Sequence, residues 1–213
     1  MYDAAVKGGT RLFQTTGLRR LAGFFFFGLV TLGLSASLAA SPISWDIASP
    51  IDWHLFRCTP PSNATRLSEA AAIHVEIQWN ARYLISTSQG RVTGQVTNLT
   101  TINAMDPSKS WVVPSKQERW LLRHQQGHFD LNEAYRRKLE TVLLEVTTTG
   151  RDADSVCTSL ESLLHAAAHQ VLSTLEDQQA RYDAETSNGR NDSQQARWEG
   201  QIAYWLDNPS AAP

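Results

Sequence analysis

Two histidines, His124 and His128, stand four residues apart in the middle of the apolar face of the chain's clearest helical stretch. At about 100° per residue, with His124 at zero, Trp120, Leu121, His128, Leu131, Tyr135, Leu139, Val142 and Val146 all fall within about 60° of it. Burying two imidazoles there is costly unless each finds a partner. A lone histidine would be satisfied by a hydrogen bond in the core. Two at i and i+4 can share one ligand, because side chains four apart stack on the same side of a helix. Both can then reach one ion at about 2.0–2.1 Å, which makes a divalent metal, zinc, the expected cofactor. A metal-free core in which both rings only hydrogen-bond is the alternative. Gly127, between them, would leave room for backbone or substrate to approach closely.

The rest of the chain sets that helix in an α+β domain, with N-terminal antiparallel strands followed by three helices. Ile73, Val75, Ile77 and Trp79 alternate with polar residues, the period of a half-buried strand. Further strand-like stretches cover Tyr83–Ser86 and Val92–Ile102, separated by Gln89-Gly90. After Pro114, Ser115 and Glu118 form a capping-box pattern, which predicts a helix running to about Thr147 and stopped by Gly150. A second helix should start at Asp152 or Asp154 and fray near Thr186–Gly189. A third should be capped by Asp192 and Gln195 and carry Trp198, Ile202, Trp205 and Leu206. The expected layout is thus strands over 41–113 and helices over 115–206 in one domain, 41–213.

Residues 1–40 read differently. Lys7, Arg11, Arg19 and Arg20 precede an apolar run from Leu21 to Leu38, and Ser37, Ala39 and Ala40 close it. These are the parts of a secretory signal peptide cleaved after Ala39 or Ala40, although a retained anchor is the competing reading. The expected location is periplasmic or secreted, without stable membrane association once the signal is removed. The first forty residues hold four basic and one acidic side chain of the 19 and 21 in the whole chain. The remainder keeps 15 and 20, a net charge of −5 that argues against nucleic acid as partner. Only Cys58 and Cys157 are present. In an oxidising compartment they are expected to pair, which would stabilise by about 4 kcal/mol; two unpaired buried thiols are the alternative.

The segment Leu121-Leu122-Arg123-His124-Gln125-Gln126-Gly127-His128-Phe129-Asp130 resembles a bacterial family of unknown function whose members are described as secreted zinc-dependent proteases. Asp52-Trp53, Lys109-Ser110-Trp111-Val112, Tyr182-Asp183-Ala184-Glu185-Thr186 and Gly189 extend the resemblance over about Ile51 to Leu206. It implies a zincin-like fold, an HExxH metal helix and a peptide or protein substrate. Two positions depart from the pattern. Gln125 stands where the family has the glutamate that takes a proton from the metal-bound water, and Asn188 stands where it has a histidine.

A third ligand would come from Asp183 or Glu185, by analogy with zinc sites completed by a downstream carboxylate, and Asp183 is the first choice because the resemblance covers it. A polar helix end is the plainer account of both. Asp130 and Glu133 are turned about 120° and 180° from His124 on the wheel, toward solvent. His165 and His169 form a second i, i+4 pair at the edge of an apolar stripe, where surface histidines are the plainer account and a rival metal site the other. Residues between Val92 and Ala104 are candidates for an edge strand that would hold an extended substrate.

Two functions follow from these residues. One is a secreted zinc metallopeptidase, impaired because Gln125 can hold the attacking water but not accept its proton. The other is a non-catalytic metal-binding domain of the cell envelope that binds peptide or protein.

Overall fold

The structure, a computed structural model, describes residues 7–8, 41–64 and 70–213. The expected signal, 1–40, therefore lies outside the described residues apart from the two-residue strand β1 (Lys7–Gly8). Strands precede helices, as the sequence pattern requires. They are β2 (Ile43–Ser44), β3 (Ala71–Ala72), β4 (Val75–Ser88), β5 (Arg91–Met105) and β6 (Trp111–Val112). Helix α1 (Arg119–Leu144), strand β7 (Thr147–Gly150), α2 (Ala153–Thr186) and α3 (Asp192–Asp207) follow.

The long antiparallel hairpin β4–β5 is the frame of the main sheet, ordered β1-β4-β5-β2, with β7 also pairing with β5. Gln89 (φ 51°) and Gly90 (φ 76°) make its turn, and two left-handed residues in a row match the twist of the flanking strands. Opposite Arg82 and Tyr83 the register skips Thr97. That bulge switches which residues of β5 face the helices, from Leu99, Asn103 and Met105 on one side of it to Val92 and Val96 on the other.

Three expectations change here. The capping box does not form: Pro114–Lys116 is a short 3-10 turn, and α1 starts only after Glu118. The Glu118 carboxylate accepts from Trp120 Nε1 instead of capping. The helix also ends sooner, because Thr147–Gly150 leaves it to pair with Val92–Gln95. Three consecutive β-branched threonines suit an added strand better than a last helical turn. Finally, Asn191 rather than Asp192 or Gln195 caps α3, its side chain accepting from Gln194 N. Asp152 does cap α2, accepting from Ser155 N at 2.8 Å.

Helix α1 is packed on two sides. Leu131, Tyr135, Leu139 and Leu143 join Ile77 and Trp79 of the sheet with Leu160, Leu164, Trp198 and Trp205 of the other helices. Phe129 joins a second core with Ile51, Phe56, Ile73, Val75, Met105 and Val112. This overturns the solvent-facing placement of two acids. Glu133 is 4% exposed and pairs with Arg136 and Arg137. Asp130 accepts from Trp45 Nε1 at 2.8 Å, and its burial raises its pKa. A helical wheel identifies the stronger apolar stripe but cannot show that a second layer covers the opposite side.

The cysteine pair is also corrected. Cys58 and Cys157 are both free: Cys58 bridges to Trp111 beside β6, whereas Cys157 lies on α2 with its Sγ 3.3 Å from Tyr83 Oη. Among the described residues no helix is long and apolar enough to cross a membrane.

Candidate metal centre

His124 and His128 sit in the N-terminal half of α1, facing the C-terminal end of α2. There, at the last turn, α2 presents Asp183. Its Oδ1 lies 3.0 Å from His124 Nε2 and 2.9 Å from His128 Nε2, and the two Nε2 atoms are 3.2 Å apart. Two side chains one helical turn apart and one from 59 positions on thus converge on a single point. The histidines are 1% and 4% exposed. The Asp183 side chain, a third exposed, is the part of the cluster that meets solvent.

The back of each imidazole is fixed by an amide. Gln179 Oε1 is 2.6 Å from His128 Nδ1 and Gln195 Oε1 is 3.3 Å from His124 Nδ1. Their orientation is dictated by their other ends. Gln179 Nε2 donates to the His128 carbonyl, and Gln195 Nε2 donates to the Glu199 carboxylate, groups that only accept. Each glutamine must therefore present its oxygen to the ring, so each Nδ1 carries the proton. Both Nε2 lone pairs then point at Asp183.

That leaves three acceptors within 3.2 Å of one another, a repulsive arrangement without a cation between them. A proton could serve, but burial pushes the His124 pKa down, more than Asp183 opposite pushes it up. Two imidazoles and a carboxylate are a donor set that zinc takes. Tetrahedral zinc with bonds of 2.0–2.1 Å separates its ligand atoms by about 3.3 Å, so the observed 2.9–3.2 Å needs an expansion of only a few tenths of an ångström. The residues fit the ion.

Tyr182 locks the helices together at this point. Its ring stacks on His124 at 4.6 Å, and its hydroxyl donates to the His124 carbonyl at 3.1 Å while accepting from Gln195 Nε2. This explains Gly127: a Cβ there would lie 2.1 Å from the Tyr182 hydroxyl. The glycine makes room for a neighbouring helix rather than for a substrate. Gly189, at φ +83°, is similarly constrained, since a Cβ would lie 2.6 Å from His124 Cβ. The turn after α2, through Ser187 and Asn188 in left-handed conformations, brings it there.

Other residues singled out in the sequence lie apart. Glu185 is bonded to Arg181 and Trp198 Nε1 and is no part of the cluster. Gln125 is 4% exposed, and its Oε1 accepts from Ile73 N at 2.9 Å, tying α1 to the segment between β3 and β4. Of Val92–Ala104, Val92–Gln95 pairs with β7 and Ala104 with β2 on the side away from β4, whereas Val96–Ile102 has a partner strand, β4, on one side only among the described residues. His165 and His169 are exposed. Gln179 and Gln195 were missed by sequence reasoning, because polar residues on the inner faces of α2 and α3 carry no local mark of what they touch.

These features define an α+β protein with a two-histidine, one-aspartate cluster of metal-binding type. Residues 55–190 match the family described as bacterial protein of unknown function (DUF922), and the chain belongs to it. No curated protein and no solved structure matches the chain.

Proposed function

We propose that this protein is a secreted zinc metallopeptidase whose hydrolysis is impaired, with zinc held by His124, His128 and Asp183. The observation that carries the zinc site is the forced direction of Gln179 and Gln195, which turns both Nε2 lone pairs toward Asp183. Bound there, zinc supplies Lewis-acid chemistry, polarising a carbonyl and easing deprotonation of water. The chain's own residues do the rest. Tyr182 and the two glutamines keep the ligands in place, and the open side at Asp183 is where a substrate would enter. Export rests on the character of residues 1–40.

A second reading, a metal-binding but non-catalytic envelope domain, is favoured by one observation. Gln125 cannot accept a proton, and its oxygen is already taken by Ile73 N. The substitution Gln125→Glu separates the two readings. A carboxylate keeps the bond to Ile73 N and adds a base, so peptide hydrolysis should rise by about 10²–10⁴-fold if the rest of the machinery is intact. No rise in the zinc-loaded variant, assayed on a mixed peptide library, would favour the binding role.

A further inference from the structure

We infer that Asn103, Asn132 and Gln179 form a positioning relay that fixes His128 for the metal, an inference that rests on the zinc site proposed above. The three amides come from β5, α1 and α2 and are 3%, 1% and 1% exposed. Asn103 Nδ2 donates to the Phe129 carbonyl at 3.2 Å, and Asn132 Nδ2 donates to Asn103 Oδ1 at 3.2 Å. Gln179 Nε2 donates to Asn132 Oδ1 at 3.3 Å and to the His128 carbonyl at 3.2 Å. Gln179 Oε1 then meets His128 Nδ1 at 2.6 Å.

The direction of every link is forced. A backbone carbonyl only accepts, so Asn103 must turn its nitrogen to Phe129 and its oxygen to Asn132. Asn132 must then offer nitrogen to Asn103 and oxygen to Gln179. Gln179, anchored twice through its nitrogen, has only its oxygen left for the ring. The relay ends by placing the proton on His128 Nδ1 and the lone pair on Nε2. Its other consequence is angular, because the ring plane is fixed from behind.

Apolar side chains would pack these three elements at least as well, since a buried amide gains little net stability from bonds it would otherwise make with water. What the amides add is direction. Partners behind a metal-ligating histidine fix its tautomer and orientation, and losing one typically weakens metal binding by about 10–100-fold. The sheet strand β5 thus acts on a metal it does not touch.

Full-length protein tests this. Zinc affinity is measured by chelator competition, the cobalt(II) absorption spectrum reports ligand geometry, and nitrogen-15 NMR of the metal-free protein reports the His128 tautomer. Gln179→Leu should weaken zinc by about 10–100-fold, shift the cobalt bands and populate the Nε2–H tautomer. Asn103→Leu should do the same more weakly. Gln179→Glu keeps an acceptor at Nδ1 but loses both donations from Nε2, so its affinity should fall between those of Gln179→Leu and the wild type. Wild-type affinity and tautomer in Gln179→Leu would overturn the relay. Should that variant not fold, unchanged values in Asn103→Leu would overturn it instead. If the wild type binds no zinc, yet Gln179→Leu still frees the tautomer, the metal reading falls and the relay stands.

Discussion

The chain holds two histidine pairs at the same spacing on two long helices, and their surroundings could hardly differ more. His124 and His128 are buried, each with an amide behind it and Asp183 in front. His165 and His169 on α2 are exposed, and His165 does no more than meet the Trp79 ring edge-on at 5.6 Å. Spacing at i and i+4 therefore brings two imidazoles to one side, and nothing else. A metal centre also needs desolvation, fixed tautomers and a third donor, and only packing supplies them.

The largest expected effect breaks the comparison outright. The double variant His124→Ala, His128→Ala should lose zinc, from about one per chain to none by mass spectrometry, whereas His165→Ala, His169→Ala should keep the full complement. Metal lost equally from both doubles would mean that the buried pair is not the site.

A second contrast tests why the buried pair is so tightly enclosed. Gly127→Ala drives a methyl into the Tyr182 hydroxyl, whose ring is packed against both histidines and Trp198. Overpacking of this kind should destabilise by about 1–3 kcal/mol or more in denaturant unfolding. Gly200→Ala, also within a helix but with open space around it, should instead stabilise by about 0.5–1 kcal/mol. Equal responses would show that the close approach of Tyr182 is not what Gly127 serves.

The smallest effect concerns His74, an intermediate case. It is buried, but its Nε2 meets the carboxylate of Glu76 at 3.0 Å rather than a metal cluster. The bond from His74 lowers the Glu76 pKa, opposed by burial and helped by Gln78 and Lys109. A carboxylate with a depressed folded pKa contributes stability above its ordinary pKa of about 4.3 and loses it as pH falls through the folded value. Wild type should therefore exceed Glu76→Gln by under about 1 kcal/mol at pH 7, with the difference vanishing toward pH 3. A difference that persisted in acid would assign the effect to packing.

Much of this architecture was legible in the chain itself. The β4–β5 hairpin announced itself through alternation around Gln89-Gly90, and α2 through Asp152 and its leucines. Boundaries failed where two local signals competed. Ser115 and Glu118 look like a cap, but Pro114–Lys116 takes a 3-10 turn, and Thr147–Gly150 joined β5 once that strand was there to accept it. Asp183 was visible as the first candidate through the resemblance, with Glu185 two residues on as the other. What set Asp183 against the imidazoles, and Glu185 against Arg181 and Trp198, is which side of the last turn of α2 faces α1.

The sequence by itself determined the order of strands and helices and the shared face of His124 and His128, because both follow from periods of two or 3.6 residues within a few turns of chain. Tertiary structure decided that Asp183 closes the cluster, that Glu133 is buried, that Gly127 yields to Tyr182, and that amides from α2, α3 and β5 direct the imidazoles. Those outcomes depend on atoms 13 to 71 positions apart meeting within hydrogen-bond distance. No local pattern encodes such a meeting, since it is set by how whole helices and strands pack.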